Sequence, residues 1–315
     1  MSVDLSVNVG GLQLTNPVMP ASGTFAEELA TAMDLNRLGA FVTKTITREL
    51  RAGNPLPRVV ERQSGLINAI GIPSKGVAYF LEHAFLAYHD YDPPLVVSIS
   101  APTAEGFATL AAELCVDGVA AIEANISCPN IEEDGKAFAL RAESTWAVTR
   151  ELRAATDRPL WVKLSPNTGD MPQIAKAAEE AGADAVVISN TILSMAINLD
   201  SFRPSVGNVL GGLSGPAIKP IILRHVFQCA KILEIPVIGC GGIVTADDAV
   251  EYMLAGASAV QVGTATFLQP DAITRIIDGM ASFCLRRGLP RVADLIGGVI
   301  VNEFDGEASA WMDGV

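Results

Sequence analysis

The sequence predicts an α/β protein built as a closed (β/α)8 barrel, in which eight parallel strands alternate with helices. Three observations support this prediction. Apolar, β-branched runs alternate with amphipathic stretches whose apolar residues recur at i, i+3 and i+4 along the 315-residue chain. Nearly uninterrupted apolar strands indicate a parallel sheet covered by helices, and such barrels typically need ~250 residues. The alternative is an open, doubly wound sheet, but no GxGxxG motif follows the first predicted strand.

Eight runs are the candidate strands of the barrel. Each is short and apolar, and several of the helical stretches between them end in glycine just before the next strand. The candidate strands are 17–22, 40–46, 95–100, 120–126, 160–165, 185–190, 236–240 and 259–263. The segments AGADAVVIS (181–189) and AGASAVQVG (255–263) are similar to each other, as repeated strand–helix units should be.

Three further segments do not fit the regular repeat. Residues 3–14 alternate around a Gly-Gly pair and predict a β-hairpin that plugs the bottom of the barrel. The connections 47–75 and 191–214 are longer than ordinary loops, and long loops inside a compact domain are usually lids or binding segments. We therefore expect one TIM-barrel domain over residues 1–315, with an N-terminal hairpin and long active-site loop insertions.

The composition argues against several classes of function. A formal net charge of −13 provides no basic surface for nucleic acid or an anionic membrane. No apolar run approaches the ~20 residues that span a bilayer, and the N-terminus has no secretory signal pattern. The five cysteines are scattered without CxxC spacing, which argues against a metal or iron–sulfur site held by this chain alone. We expect a cytoplasmic protein.

Polar residues gather at the carboxyl ends of the predicted strands, where barrels of this kind carry their active sites. Lys44 and Lys163 are the most informative, because each lies among core residues and lysine is rarely buried without an anionic partner. The alternative is that each lysine extends out of the barrel or pairs with an internal carboxylate such as Glu123. Two lysines near one rim favour an anionic ligand.

Glycine-rich turns indicate that this ligand carries a phosphate. GCGGI (239–243) and VGTATF (262–267) follow the seventh and eighth strands, whose loops often form a phosphate site in such barrels. GGLSG (211–215) is a third turn of this kind. Asparagine side chains offer a donor and an acceptor together and suit a planar heterocycle. The asparagines at these positions are Asn68, Asn125, Asn130 and Asn190. These residues alone do not identify a reaction.

The motifs together resemble those of the dihydroorotate dehydrogenase family of flavin enzymes. The matching residues run along nearly the whole chain in family order. They are NPVMPASG (16–23), TKT (43–45), GNPLPRV (53–59), SGLINAIGIPSKG (64–76), NISCPN (125–130), VKLSPN (162–167), SNT (189–191), GGLSGPAIKP (211–220), IPVIGCGGI (235–243) and AGASAVQVGTA (255–265). NAIGI and SNT resemble the NAD-linked branch of class 1, class 1B, rather than the fumarate-using branch.

The resemblance implies oxidation of (S)-dihydroorotate to orotate in de novo pyrimidine biosynthesis. In this family the substrate gives a hydride to N5 of FMN and its C5 proton to a side-chain base. In class 1 the base is a cysteine of the motif that reads NISCPN here, so the resemblance implies Cys128. A thiol can serve if nearby cations or donors draw its pKa toward neutrality. The other cysteines are expected to be buried, inert thiols. They are Cys115, Cys229, Cys240 and Cys284.

The same matching implies two sets of binding residues. Those expected to contact FMN are Ser22, Lys44, Thr45, Asn125, Lys163, Ser189, Gly215, Gly241, Gly242, Gly263 and Thr264. Those expected to hold the substrate are Lys44, Asn68, Ala69, Ile70, Gly71, Ile72, Asn125, Asn190 and Thr191. Lys163 would face the N1/O2 edge of the flavin, where a cation stabilises the reduced ring. Ser98 departs from the family pattern, since many relatives have an asparagine there that touches the flavin.

The resemblance also implies a partner. Class 1B enzymes pass electrons from FMN to a second subunit that carries FAD and a 2Fe–2S cluster and reduces NAD. This chain would then be the catalytic half of a heterotetramer with a homodimer core. The alternatives are a fumarate-dependent class 1A homodimer, a flavin module that acts on uracil-type dihydropyrimidines, and a non-catalytic barrel that senses a phosphorylated metabolite. The acidic tail, 301–315, has no functional account.

Overall fold

The structure, a computed structural model, describes residues 3–25, 31–127 and 138–301. Its strands are β1 (Val7–Val9), β2 (Leu12–Leu14), β3 (Val18–Pro20), β4 (Phe41–Val42), β5 (Val59–Arg62), β6 (Gly65–Asn68), β7 (Leu95–Ile99), β8 (Val119–Asn125), β9 (Leu160–Lys163), β10 (Ala185–Ile188), β11 (Ile192–Ser194), β12 (Ile197–Asn198), β13 (Arg203–Pro204), β14 (Gly211–Ser214), β15 (Val237–Cys240) and β16 (Ala257–Val262).

The α-helices are α1 (Val77–Tyr79), α2 (Ala104–Glu113), α3 (Ala142–Ala155), α4 (Met171–Glu180), α5 (Lys219–Ala230), α6 (Ala246–Leu254), α7 (Ala265–Leu268) and α8 (Ala272–Arg287). A π-helical turn, Phe80–Ala84, continues α1. Short 3-10 turns lie at Leu35–Arg37, Phe85–Tyr88, Phe138–Leu140, Pro216–Ile218 and Val292–Leu295. In the ranges that the structure describes, we find no helix of the length and apolarity that crossing a membrane requires.

Eight of the strands form one parallel sheet, in the order β3-β16-β15-β10-β9-β8-β7-β4. Strands β3 and β4, at the two ends of this order, are joined by backbone hydrogen bonds outside the regular ladder. The N–H of Gly39 donates to the carbonyl of Val18 at 2.9 Å, and that of Thr45 donates to Ser22 at 3.0 Å. These bonds bring the sheet round to a cylinder, and the predicted (β/α)8 barrel is confirmed.

The barrel is held by apolar layers on both sides of its strands. All four residues of β10 are buried, as expected for a strand that faces the barrel interior on one side and helices on the other. Helix α2 shows how a helix is set against the sheet. Thr103 caps it by accepting a hydrogen bond from the N–H of Gly106 at 3.0 Å, and Phe107, Leu110 and Ala111 are its buried residues.

All eight predicted barrel strands are present, but several end earlier than predicted. The largest difference is in β4, which comprises Phe41–Val42 where 40–46 was expected. Contact with β7 continues beyond it, since the N–H of Thr43 donates to Val96 at 3.1 Å and that of Ile46 to Ser98 at 2.8 Å. The regular ladder is lost between those two bonds. Lys44 therefore stands on the rim of the barrel rather than inside a strand.

Strands β1 and β2 form the predicted N-terminal hairpin. Its turn, Gly10-Gly11, has φ angles of 50° and 87°, which glycine adopts readily. A Cβ at Gly10 would lie 2.7 Å from Nε1 of Trp161 and 2.9 Å from the carbonyl oxygen of Asp184. These two residues lie at the amino ends of β9 and β10. The hairpin therefore covers the amino-terminal end of the barrel, as predicted.

The two long connections contain strands that pair with each other. β5 and β6 come from the first connection and β11 and β14 from the second. Together they form a four-stranded antiparallel sheet in the order β11-β14-β6-β5, which we call the cap sheet. In it, Asn68 lies opposite Gly212. The expected loop insertions are thus joined by a regular hydrogen-bond ladder.

Replacing Gly10 with alanine is expected to lower the free energy of unfolding by about 1–3 kcal/mol more than replacing Gly11. The new methyl group would press on Trp161, whereas a Cβ at Gly11 meets Pro159 at an ordinary 3.4 Å. Both glycines have positive φ, so the backbone strain is similar in the two variants. Urea unfolding measures the difference. Equal losses would contradict the contact between hairpin and barrel.

Candidate active site

A large cavity opens at the carboxyl-terminal rim of the barrel. Its volume is about 1110 Å³, and its walls combine residues that follow the barrel strands with residues of the cap sheet. Typical small-molecule sites have volumes of roughly 300–1,000 Å³. The cavity therefore has room for a large cofactor together with a second, smaller ligand.

The predicted binding residues converge on this cavity. Its lining includes Ser22, Lys44, Thr45, Asn68, Ala69, Ile70, Gly71, Ile72, Asn125, Lys163, Ser189, Asn190, Thr191, Gly215, Gly241, Gly242, Gly263 and Thr264. Cys128, the predicted base, lies outside the described residues, as does Asn130. Ser127, the residue before Cys128, lines the cavity. The individual roles of these residues stay predictions.

Lys163 places a buried ammonium group at the base of the cavity. The residue is 4% exposed. Its Nζ donates hydrogen bonds to Oε1 of Gln261 at 3.0 Å, Oγ of Ser22 at 3.3 Å and Sγ of Cys240 at 3.6 Å. Burial lowers the pKa of Lys163, but the Glu123 carboxylate on the far side of Gln261 opposes burial, and the pKa lies above its ordinary value. Lys163 is therefore a cation at neutral pH.

The two lysines differ in their surroundings. Lys44 is exposed on the cavity wall, although its chain neighbours Thr43 and Thr45 are buried as expected. Among the described residues, no ion pair joins Lys163 directly to Glu123. Gln261 lies between them instead, because its Nε2 donates to Oε2 of Glu123 at 2.5 Å.

A chain of hydrogen bonds orients two asparagine amides on the cavity wall. Nδ2 of Asn125 donates to Oγ1 of Thr45 at 3.3 Å, and its Oδ1 accepts from the hydroxyl of Ser127 at 2.6 Å. Nδ2 of Asn190 donates to the same Ser127 oxygen at 2.7 Å, and its Oδ1 accepts from the N–H of Thr191 at 2.8 Å. Each amide group has a second N–H to offer a ligand.

Ser98, the departure from the family pattern, lies behind this wall. It is fully buried, and its Oγ is 3.0 Å from Oγ1 of Thr45. Its backbone N–H donates to Oγ1 of Thr43 at 3.1 Å. Ser98 does not belong to the cavity lining of the described structure. It therefore acts on the cavity through the position of Thr45.

The glycine-rich turns lie against each other. Gly242 has φ of 72°, and a Cβ there would lie 2.9 Å from the carbonyl oxygen of Gly215 and 2.8 Å from Cβ of Lys219. A side chain at this position would therefore push the two turns apart. The loop that contains Gly242 precedes α6, whose own N-terminus is capped by Thr245 and Asp248.

Asp248 fixes the loop between β15 and α6. Its Oδ2 accepts from the N–H groups of Val244 at 3.0 Å and Thr245 at 2.8 Å, and its Oδ1 accepts from Nζ of Lys219 at 2.5 Å. Thr245 completes a capping box by accepting from the N–H of Asp248. Burial raises the pKa of Asp248, but these hydrogen bonds outweigh burial and hold the pKa below its ordinary value.

One of the cysteines expected to be buried and inert differs from that expectation. Cys115 is exposed, because it lies in the turn after α2 rather than in the core. Cys240 is buried but lines the cavity. Burial raises the pKa of Cys240 although Lys163 opposes this, so the group stays a neutral thiol. Cys229 and Cys284 are buried, and burial raises the pKa of Cys229 to about 12.

The sequence reasoning missed the apolar part of the cavity wall. The cap sheet contributes Val59, Leu66 and Leu193, and the segment before β14 contributes Val209 and Leu210. Val59 and Leu66 lie within the matching motifs 53–59 and 64–76, but their place in the cavity wall depends on pairing between two distant connections. The unusual length of those connections was the one available signal.

The fold and the cavity together define a class of protein. It is a (β/α)8-barrel enzyme whose carboxyl-terminal rim combines glycine turns with a buried cation, an arrangement suited to a phosphorylated organic cofactor. In the described ranges, no group of three or more His, Cys, Asp or Glu residues is placed to hold a metal ion. The family model described as Dihydroorotate dehydrogenase matches residues 4–284. The chain belongs to the dihydroorotate dehydrogenase family.

Curated relatives that align along almost the whole chain carry the name dihydroorotate dehydrogenase B (NAD(+)), catalytic subunit. The protein of Thermoanaerobacter sp. is 45% identical over 302 residues, which cover 95% of this chain and 100% of the relative. That of Desulforamulus reducens is 47% identical over 300 residues, with coverages of 94% and 99%. That of Bacteroides thetaiotaomicron is 46% identical over 301 residues, with coverages of 95% and 99%. Membership in the family implies a flavin cofactor, and the term catalytic subunit implies that these relatives work with a separate subunit.

Replacing Asp248 with asparagine is expected to lower the free energy of unfolding by about 1–2 kcal/mol at neutral pH, through loss of the cap and the ion pair. Because its pKa is lower in the folded than in the unfolded chain, the contribution of Asp248 is present above the ordinary carboxyl pKa. It is lost as the pH falls through the folded-state value. Urea unfolding across pH should therefore show a gap between wild type and variant that closes in acid.

Asp247→Asn is the matched control, since Asp247 is exposed in the same first turn of α6. Its expected effect is below about 0.5 kcal/mol. A gap for Asp248→Asn that stays constant from neutral to acidic pH would contradict the role given to the carboxylate.

Proposed function

We propose that the chain oxidises (S)-dihydroorotate to orotate in de novo pyrimidine biosynthesis, with FMN as the bound flavin. The main support is that the described residues matching the family's binding motifs line one cavity. The relatives with 45–47% identity, named as dihydroorotate dehydrogenases, support the same substrate. We propose further that residues 1–315 act as one FMN-binding barrel domain in the cytoplasm.

The residues of the cavity fit FMN in chemistry and in space. In the proposal, the turns that contain Gly215, Gly242 and Gly263, which all line the cavity, receive the phosphate. Lys163 supplies a cation to the pyrimidine edge of the ring, where negative charge accumulates on reduction. Bound FMN supplies the acceptor for the hydride that leaves C6 of the substrate.

The substrate is held in the proposal by a cation and by oriented amides. Lys44, exposed on the cavity wall, binds the carboxylate of dihydroorotate. Asn68, Asn125 and Asn190 face the alternating C=O and N–H groups of the pyrimidine ring. The hydroxyl of Ser127 fixes the relative positions of two of these amides, because it donates to Asn125 and accepts from Asn190. A ring with this donor and acceptor pattern is favoured over one without it.

Cys128 is proposed as the general base. Ser127, the residue before Cys128 in the sequence, lies in the cavity lining. The thiolate takes the proton from C5 while the hydride leaves C6, and the C5=C6 double bond of orotate forms. Cys240 is unsuited to this role, since burial holds it as a neutral thiol.

The electron acceptor is proposed to be NAD, reached through a second subunit that carries FAD and a 2Fe–2S cluster. This proposal follows the names of the relatives, which specify NAD(+) and a catalytic subunit. The cysteines of this chain lack the spacing of a cluster motif, and the first predicted strand lacks a dinucleotide fingerprint. We propose that two copies of this chain form the core of a heterotetramer.

Replacing Cys128 with alanine is expected to slow reduction of the bound flavin by dihydroorotate by about 10²–10⁴-fold, the usual contribution of a general base. Orotate affinity should stay near the wild-type value, because the amides and Lys44 are retained. Rapid mixing under anaerobic conditions measures the rate, and titration with orotate measures affinity.

The control for that experiment is Cys115→Ala, which removes an exposed thiol outside the cavity lining. It should reduce flavin at the wild-type rate. If Cys128→Ala also keeps the wild-type rate, Cys128 is not the base.

The isolated, flavin-loaded chain is expected to be reduced by dihydroorotate but to turn over neither NAD nor fumarate. Adding an electron-transfer subunit that carries FAD and a 2Fe–2S cluster should start NAD reduction. The measurements are steady-state NADH formation and fumarate consumption. Rapid fumarate turnover by the chain alone would instead assign it to the class 1A branch. Turnover of dihydrouracil in place of dihydroorotate would contradict the proposed substrate assignment.

A further inference from the structure

Three polar side chains form a connected group inside the barrel, beneath the cavity. Glu123 lies on β8, Lys163 on β9 and Gln261 on β16. Glu123 is fully buried, Gln261 is 1% exposed and Lys163 is 4% exposed. Buried polar groups need hydrogen-bond partners, and these three side chains bond to one another inside the barrel.

The hydrogen bond between Gln261 and Glu123 crosses the barrel. In the strand order, β16 and β8 are separated by β15, β10 and β9 in one direction and by β3, β4 and β7 in the other, so they face each other across the cylinder. Nε2 of Gln261 donates to Oε2 of Glu123 at 2.5 Å, and Oε1 of the same amide accepts from Nζ of Lys163 at 3.0 Å.

The partners fix the orientation of this amide. Lys163 has donors and no acceptor, and a carboxylate has acceptors and no donor. Turning the amide of Gln261 over would place two donors together at Lys163 and two acceptors together at Glu123. The Gln261 amide therefore links the position of the Lys163 ammonium group to that of the Glu123 carboxylate.

A carboxylate at this position carries a cost for stability. Burying a charge requires compensation by partners, and Oε1 of Glu123 has no hydrogen-bond partner in the described part of the chain. Well-packed apolar residues in place of a buried ionic group are often neutral or stabilising. Glu123 is thus poorly explained by stability alone, whereas its link to the cation at the cavity base gives it a role.

We infer that Glu123 is a positioning residue that acts through Gln261 on the Lys163 ammonium group and reduces the positive field which that group exerts on the bound flavin. This inference rests on the proposed function, in which Lys163 meets the pyrimidine edge of FMN. The carboxylate brings the net charge of the three side chains to zero. Without it, the group would carry a charge of +1 and would stabilise reduced flavin more strongly than the wild type does.

The test is the midpoint potential of FMN in the full-length, flavin-loaded chain and its variants. Glu123→Gln keeps the size of the side chain and removes the charge. The variant is expected to increase the ratio of the affinities for reduced and oxidised FMN about tenfold relative to wild type. This corresponds to a rise in midpoint potential of about 30 mV for a two-electron couple. Redox titration with a reference dye measures this shift without turnover.

A double variant tests the same inference even if Glu123→Gln folds poorly. Glu123→Gln combined with Gln261→Glu keeps the bonded pairs and the net charge, with the bond between positions 123 and 261 reversed in direction, and moves the carboxylate into contact with Lys163. Its midpoint potential should lie below the wild-type value. Asp117→Asn is the control, because Asp117 is an exposed carboxylate just before β8, at the other end of the same strand. It should leave the potential unchanged.

The predicted order of midpoint potentials is Glu123→Gln above wild type and the double variant below it. Equal potentials in all folded proteins would show that Glu123 has a structural role only and would overturn the inference, while leaving the proposed function intact. A wild-type chain that binds no FMN would overturn both.

Discussion

The common direction of the eight barrel strands is the constraint on which the rest of this structure depends. Because the strands are parallel, all of their carboxyl ends meet at one rim, and residues as far apart in sequence as Ser22 and Thr264 line the same cavity. The opposite rim is covered by the Gly10-Gly11 hairpin, which packs on Trp161. Polar residues can therefore collect at one end while the apolar layers around the strands hold the barrel together.

The same constraint creates an electrostatic requirement. A lysine at the base of the cavity is buried in the barrel, so it needs partners that do not neutralise it through a direct ion pair. The structure provides Ser22 and Cys240 on the cavity side and Gln261 on the interior side. The amide separates the ammonium group from Glu123, so the cation remains available to a ligand. Asn125 and Asn190 on the cavity wall are arranged in a similar way. One N–H and the oxygen of each amide bind protein groups, and the other N–H is left for a ligand.

Much of the fold and of the cavity could be predicted because the signals are local. A strand buried on both faces is an apolar run, as in β10, and a polar residue at the end of such a run, as with Lys163, indicates the rim. What could not be predicted depends on contacts between distant segments. The exposure of Lys44 depends on where the ladder to β7 breaks. The cap sheet depends on pairing between Asn68 and Gly212, and the role of Gln261 depends on β16 and β8 facing each other across the barrel.

The central claim is that the cavity holds FMN with its reactive ring beside the dihydroorotate site. Anaerobic titration of the purified, flavin-loaded chain with dihydroorotate tests it most directly. The account predicts a yellow protein that releases one FMN per chain on denaturation and loses its visible flavin absorption as dihydroorotate is added. A chain that takes up no FMN, or whose bound FMN stays oxidised in excess dihydroorotate, would contradict it.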